Sequence, residues 1–112
     1  SSLEVITIPS SIKTIGKGTF QSCTSLKKIT FEKPSSITLI DDCAFDVCSS
    51  LIEIILPSSV KTIGKNAFNK CYSLKRIEIP SSIKKINDYT FNECSSVDII
   101  SLVIIHFMNV LR

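Results

Sequence analysis

Glycine occurs only three times in 112 residues, and no G-x-x-x-x-G-K-S/T, G-x-G-x-x-G or H-E-x-x-H pattern is present. Phosphate cradles need glycine so that backbone N–H groups can close on an anion, and zincin helices need paired histidines. Neither chemistry has support. The single histidine, His106, lies in an irregular C-terminal stretch, without a Ser, Cys or Asp motif around it that resembles a nucleophilic triad. A dominant charge is missing too: 13 basic and 10 acidic residues are mixed along the chain for a net +3, too mild and too dispersed to indicate nucleic acid. Lys13, Lys61 and Lys84 share a column that Thr38 breaks, and this stripe is sparse and has no interleaved aromatics. The expectation is a non-enzyme with no catalytic residue, no metal site, no cofactor and no nucleic-acid partner.

The only methionine is Met108, and no charged, apolar, small-residue triplet of a secretion signal is present. The chain therefore reads as a fragment or a processed form, which leaves its compartment open. No run is long enough to cross a bilayer, because the apolar stretch from Ile99 to Leu111 is 13 residues and a helical span needs about 20.

What the chain does have is a period. Leu3, Leu26, Leu51, Leu74 and Val97 recur at intervals of 23, 25, 23 and 23 residues. Units of about 20–29 residues opening on L-x-x-I-x-I are the signature of leucine-rich-repeat solenoids, which bury side chains repeat upon repeat and have no central core. Each unit opens with a strand whose inward residues are Leu3/Ile6/Ile8, Leu26/Ile29/Phe31, Leu51/Ile54/Leu56, Leu74/Ile77/Ile79 and Val97/Ile100/Leu102. Pro9, Pro57 and Pro80 follow directly, each with two serines, and should end the strand ladder because proline lacks an N–H. The second unit inserts Glu32-Lys33 before Pro34.

A buried pair follows: Ile12/Ile15, Ile37/Ile40, Val60/Ile63 and Ile83/Ile86. Gly16, Asp41, Gly64 and Asn87 then share a column, and their common tolerance of positive φ predicts a left-handed bend there. A short helical or 3₁₀ turn should come next, with a small residue (Thr19, Ala44, Ala67, Thr90), a phenylalanine (Phe20, Phe45, Phe68, Phe91) and, three residues on, a cysteine (Cys23, Cys48, Cys71, Cys94). The i, i+3 spacing sets Phe and Cys on one face. Lys17, Asp42, Lys65 and Asp88 alternate in sign beside the bend and should support stacking.

The run IPSSIKTIGKGTFQSCTSLKKI, echoed by LPSSVKTIGKNAFNKCYSLKRI and IPSSIKKINDYTFNECSSVDII, resembles the BspA-like, or Treponema-type, leucine-rich repeats. The likeness covers residues 3 to about 102, with Pro, Gly/Asn, Ala/Thr, Phe and Cys at fixed offsets. Ser11, Ser36, Ser59 and Ser82 stand where commoner repeats carry asparagine, so the usual asparagine ladder should be missing. The resemblance implies a surface or secreted protein that binds host or extracellular-matrix proteins. The alternative is an intracellular self-assembling scaffold or adaptor, for which reduced thiols and an apolar tail are the favourable signs.

The expected fold is α/β: a right-handed solenoid, a short horseshoe with a parallel sheet on the concave side and turns or short helices on the convex side. Residues 1–102 form the repeats and 103–112 an apolar tail. One cysteine per coil suits a small inward hydrophobe better than a metal set or a disulfide, while Cys43, in the column of Gly18, Asn66 and Tyr89, should lie nearer solvent. Candidate binding residues on the concave face are Lys28, Thr30, Glu53, Ile55, Arg76 and Glu78, within two outward columns that also hold Val5/Ile99 and Thr7/Ser101. Mutual pairing of Lys28, Glu53 and Arg76 is a competing explanation for that alternation. The tail either caps the last coil or packs against another copy through Ile99, Val103, Ile104, Phe107, Met108 and Leu111, with membrane-surface insertion as a third outcome.

Overall fold

The computed structural model describes residues 3–83, 86–87 and 89–99. The tail from residue 100, including His106, Val103, Ile104, Phe107, Met108 and Leu111, lies outside the described residues, as do Lys84, Lys85 and Asp88. The chain winds into a solenoid with two parallel sheets. The larger has the order β1 (Val5–Ile8), β3 (Lys28–Phe31), β5 (Glu53–Ile55), β7 (Arg76–Glu78) and β8 (Asp98–Ile99). The smaller stacks β2 (Thr14–Ile15), β4 (Leu39–Ile40) and β6 (Thr62–Ile63), and an isolated bridge joins Ile63 to Ile86. Among the described residues, the first and second coils each make one long and one short strand contact with the next, and the third adds the Ile63–Ile86 bridge to its long one.

The long strands form because apolar residues alternate with polar ones and are largely β-branched. Ile6, Ile29, Ile54 and Ile77 pair in register, with Ile29, Ile54 and Ile77 in the core. The second sheet was not foreseen. It arises because the predicted buried pairs sit in extended backbone, and Ile15, Ile40 and Ile63 align across it. Ile37, Val60, Ile83 and Ile86 are buried as expected, but Ile12 is 37% exposed because it belongs to the edge coil.

On the convex side, turns form and no helix occurs among the described residues. The reason lies in where alternate N–H groups go. Thr19, Gln21 and Cys23 close turns onto the carbonyls of Gly16, Gly18 and Phe20, while Gly18, Phe20 and Ser22 donate to Asp42, Ala44 and Asp46 in the next coil. The same alternation runs through Ala44, Asp46 and Cys48 against Cys43, Phe45 and Val47. A helix would keep every N–H within its own segment, so only turns allow the coils to bond along this arc.

The left-handed bend falls two residues later than predicted. Gly18 (φ 63°), Cys43 (59°), Asn66 (58°) and Tyr89 (60°) adopt it, and so do Ser22, Val47, Lys70 and Glu93 four residues on. Gly64 is required for space instead: a β-carbon there would lie 2.5 Å from the Asp42 nitrogen and 2.7 Å from the Asp41 carbonyl carbon. Its column neighbours use their side chains differently: Asp41 accepts from the adjacent Asp42 N–H at 2.8 Å, and Asn87 donates to the Ile63 carbonyl one coil back at 2.7 Å. The Lys17/Asp42/Lys65 column forms no ion pair among the described residues, because Asp42 accepts the Lys65 backbone N–H at 2.8 Å.

Four phenylalanines build a continuous stack through the core. Phe20, Phe45, Phe68 and Phe91 lie 5.3, 5.2 and 5.6 Å apart, with interplanar angles of 13°, 6° and 8°. Phe45 and Phe68 are fully buried, and each such side chain stabilises by about 1.5–3 kcal/mol. Serine replaces the asparagine ladder: Ser59 and Ser82 donate to the carbonyls of Ile37 and Val60 one coil back, each at 2.5 Å.

β8 departs from the period by one residue. In backbone register Asp98 pairs with Arg76 and Ile99 with Ile77, where the period had set Ile99 opposite Arg76.

Candidate functional site

The outward positions of the long sheet form one face. Val5, Lys28, Glu53 and Arg76 are consecutive backbone partners, and the second column pairs Thr7 with Thr30 and Ile55 with Glu78. All six candidate residues therefore share one surface. Strand neighbours stand about 4.8 Å apart, which brings their side chains into reach.

The charges pair with one another. Lys28 Nζ lies 3.7 Å from Glu53 Oε2, Arg76 Nη1 lies 3.4 Å from Glu53 Oε1, and Arg76 Nη2 pairs with Glu78. Each pair is partly exposed, so each contributes well under about 1 kcal/mol. The network leaves two cations facing two anions, a neutral but directional pattern. Beside it, the Thr7 and Thr30 hydroxyls hydrogen-bond at 2.9 Å, and Ile55 is 45% exposed.

Lys28, Thr30, Glu53 and Ile55 also line a groove of about 830 Å³ between the second and third coils. Arg76 and Glu78 lie beyond it on the same face. Phe31, Lys33, Pro34, Pro57 and Ser58 are also among the residues that line it. These residues were missed as site residues, although the Glu32-Lys33 insertion marks the place in the sequence. The Lys33–Pro34 peptide is cis.

The cysteine column carries hydrogen bonds that spacing alone did not reveal. The thiols of Cys48, Cys71 and Cys94 donate to the carbonyls of Phe20, Phe45 and Phe68 at 3.0, 3.2 and 2.9 Å. Burial, reinforced by the neighbouring Cys23 sulfur, pushes the Cys48 thiol up to about 12. Cys71 is pushed up by its hydrogen bond to Cys94 and by burial. Cys43 is half-buried, and its thiol is raised by burial and then by Asp46 and Asp42. All five cysteines are free thiols. Among the described residues, no cluster of three or more His, Cys, Asp or Glu could hold a metal ion.

A polar ladder also crosses the convex side. Gln21 and Asn69 both donate to Asp46 at 3.0 Å, and Asn92 donates to Asn69 at 3.0 Å. The signal was a column directly after each phenylalanine filled only by Gln, Asp, Asn and Asn.

Stacked coils, a parallel inner sheet and a polar exposed face define a leucine-rich-repeat solenoid. The profile described as BspA type leucine rich repeat region (6 copies) matches residues 1–105, and the chain belongs to that family. Three solved structures are similar. A leucine rich cell surface protein from Faecalibacterium prausnitzii A2-165 is 35% identical over 89% of this chain and 26% of its own, with a TM-score of 0.83. A leucine-rich repeat protein from Bacteroides ovatus ATCC 8483 is 30% identical over 85% of this chain and 30% of its own, with a TM-score of 0.73. The T. pallidum leucine rich repeat protein is 28% identical over 90% of this chain and 58% of its own, with a TM-score of 0.68. The chain thus spans under a third of the first two. A comparison with curated proteins finds none significantly similar.

Proposed function

We propose that this chain is a non-catalytic protein-binding module of an adhesin-like protein, displayed on the cell surface or secreted, and that it meets host or matrix proteins with its concave sheet. The observation that carries this reading is the single face formed by Lys28, Thr30, Glu53, Ile55, Arg76 and Glu78 on a fully stacked framework. Family membership and the similarity to a cell surface protein support the location. Rigid strands bearing variable outward residues are suited to recognition, since ordering them on binding costs little. Among the described residues no helix is long and apolar enough to cross a membrane.

The test is binding of the chain to immobilised extracellular-matrix proteins by interferometry, beside a Glu53→Lys/Glu78→Lys variant whose fold is checked by circular dichroism. Saturable binding that the variant loses supports the proposal. Absence of binding across the panel, or binding that the variant retains in full, overturns it.

A further inference from the structure

The second coil is longer than its neighbours, and the excess opens the sheet on one side only. Between the pairs Ile29↔Ile54 and Leu39↔Thr62, the second coil runs through residues 30–38 and the third through 55–61. The first coil runs through 7–13 between Ile6↔Ile29 and Thr14↔Leu39. The surplus of two is Glu32-Lys33. Towards the first coil the strands stay paired as far as Ile8↔Phe31, the Glu32 N–H donates to the Ile8 carbonyl at 2.9 Å, and the Glu32 carboxylate accepts the Ser10 N–H at 3.0 Å. Towards the third coil the ladder ends at Ile29↔Ile54, so Thr30 and Phe31 lack ladder partners there.

That fork is the groove. Its volume of about 830 Å³ falls within the roughly 300–1,000 Å³ typical of ligand sites. Phe31, Pro34, Ile55 and Pro57 supply apolar walls. Of its two lysines, Lys28 is paired with Glu53, whereas Lys33 is exposed and has no anionic partner among the described residues. Glu32, the nearest carboxylate in sequence, is held by Ser10. One free cation therefore stands beside an apolar cleft whose flanking strand ends are open.

We propose that this fork takes an extended segment of a partner protein in which an acidic residue adjoins an aliphatic or aromatic one. The carboxylate meets the Lys33 ammonium, the apolar side chain enters between Pro34 and Ile55, and the segment's backbone runs along the open ends of β3 and β5, as in strand addition. The inference rests on the concave sheet being a protein-binding face and names the chemistry of what binds there.

Random octapeptides displayed on phage and panned against the intact chain, with a selected peptide then titrated by fluorescence anisotropy, test it. Selected peptides are expected to join Asp or Glu to a neighbouring Leu, Phe or Tyr, and to weaken several-fold at about 0.5 M salt. Lys33→Glu should lower affinity by about tenfold or more and Lys33→Arg should preserve it. Deleting Glu32 and Lys33 restores the connection length of the adjacent coils and should abolish binding with the fold intact by circular dichroism. No enrichment, enrichment of another composition, or affinity indifferent to Lys33→Glu overturns the proposal. If a matrix protein still binds and is still lost in Glu53→Lys/Glu78→Lys, only the groove assignment fails; loss of both results removes the concave-face reading as well.

Discussion

Each buried thiol donates a hydrogen bond to the carbonyl of a phenylalanine one coil back, a contact that a small aliphatic residue in this position could not make. That carbonyl already accepts the turn-closing N–H of the coil's own cysteine, so the thiol fills its second lone pair. Because the folded state holds the Cys48 proton up to about 12 against an ordinary 9.0, the folded chain binds it more tightly than the unfolded chain. The stabilisation is complete below about 9 and disappears as pH rises from about 9 to about 12. Urea melts across that interval should show falling stability. At about pH 8, a thiol reagent should reach Cys43 before Cys48, Cys71 or Cys94; immediate reaction of all five would contradict the burial. Gly64 gives a second residue-level prediction. Gly64→Ala drives a methyl group into the Asp41–Asp42 backbone and should cost about 3 kcal/mol, read as a lower urea midpoint at unchanged slope. Val47, a β-branched residue at φ 58°, should behave oppositely, with Val47→Gly relieving about 1 kcal/mol of left-handed strain.

Among the elements, the phenylalanine stack and the inner sheet have separate tasks. Phe45 and Phe68 have rings on both sides and are fully buried, while Phe20 and Phe91 are half-buried. Phe45→Ala or Phe68→Ala should each cost about 3–5 kcal/mol, and Phe20→Ala clearly less, which chemical denaturation of the three variants will rank. A convex helix was an open alternative in the sequence because Phe and Cys recur at i, i+3, a spacing that helices and successive tight turns share. Inter-coil bonding decided between them. The left-handed column was misplaced for a related reason: Gly, Asp and Asn mark positions that tolerate positive φ, but Gly64 is selected by a close backbone approach, and Cys43 takes the strained conformation while its N–H donates to the Lys65 carbonyl of the next coil.

For the whole molecule, cohesion comes from like residues repeating over like, and recognition from the places where they do not. Self-association through Ile99, Val103, Ile104, Phe107, Met108 and Leu111 is a proposal from the sequence. Light scattering at tens of micromolar should find an oligomer that truncation after Leu102 converts to monomer, and a monomer before truncation would refute it. The charged face adds little to stability, so Glu53→Lys should cost no more than about 1 kcal/mol, with the loss shrinking as salt is raised.

By itself, the sequence determined the coil. A 23-residue period with apolar residues at invariant offsets admits one efficient burial, coil upon coil, so the parallel inner sheet, the phenylalanine and cysteine columns and the outward candidates Lys28, Glu53 and Arg76 were legible from spacing. Tertiary structure decided what depends on two coils at once: turns over helix, the second sheet, the Gln21–Asp46–Asn69–Asn92 ladder, the register of β8 and the fork beside Lys33. Each of these is set by distances and hydrogen bonds between neighbouring coils, and a period read along one chain carries no record of how two unequal coils part.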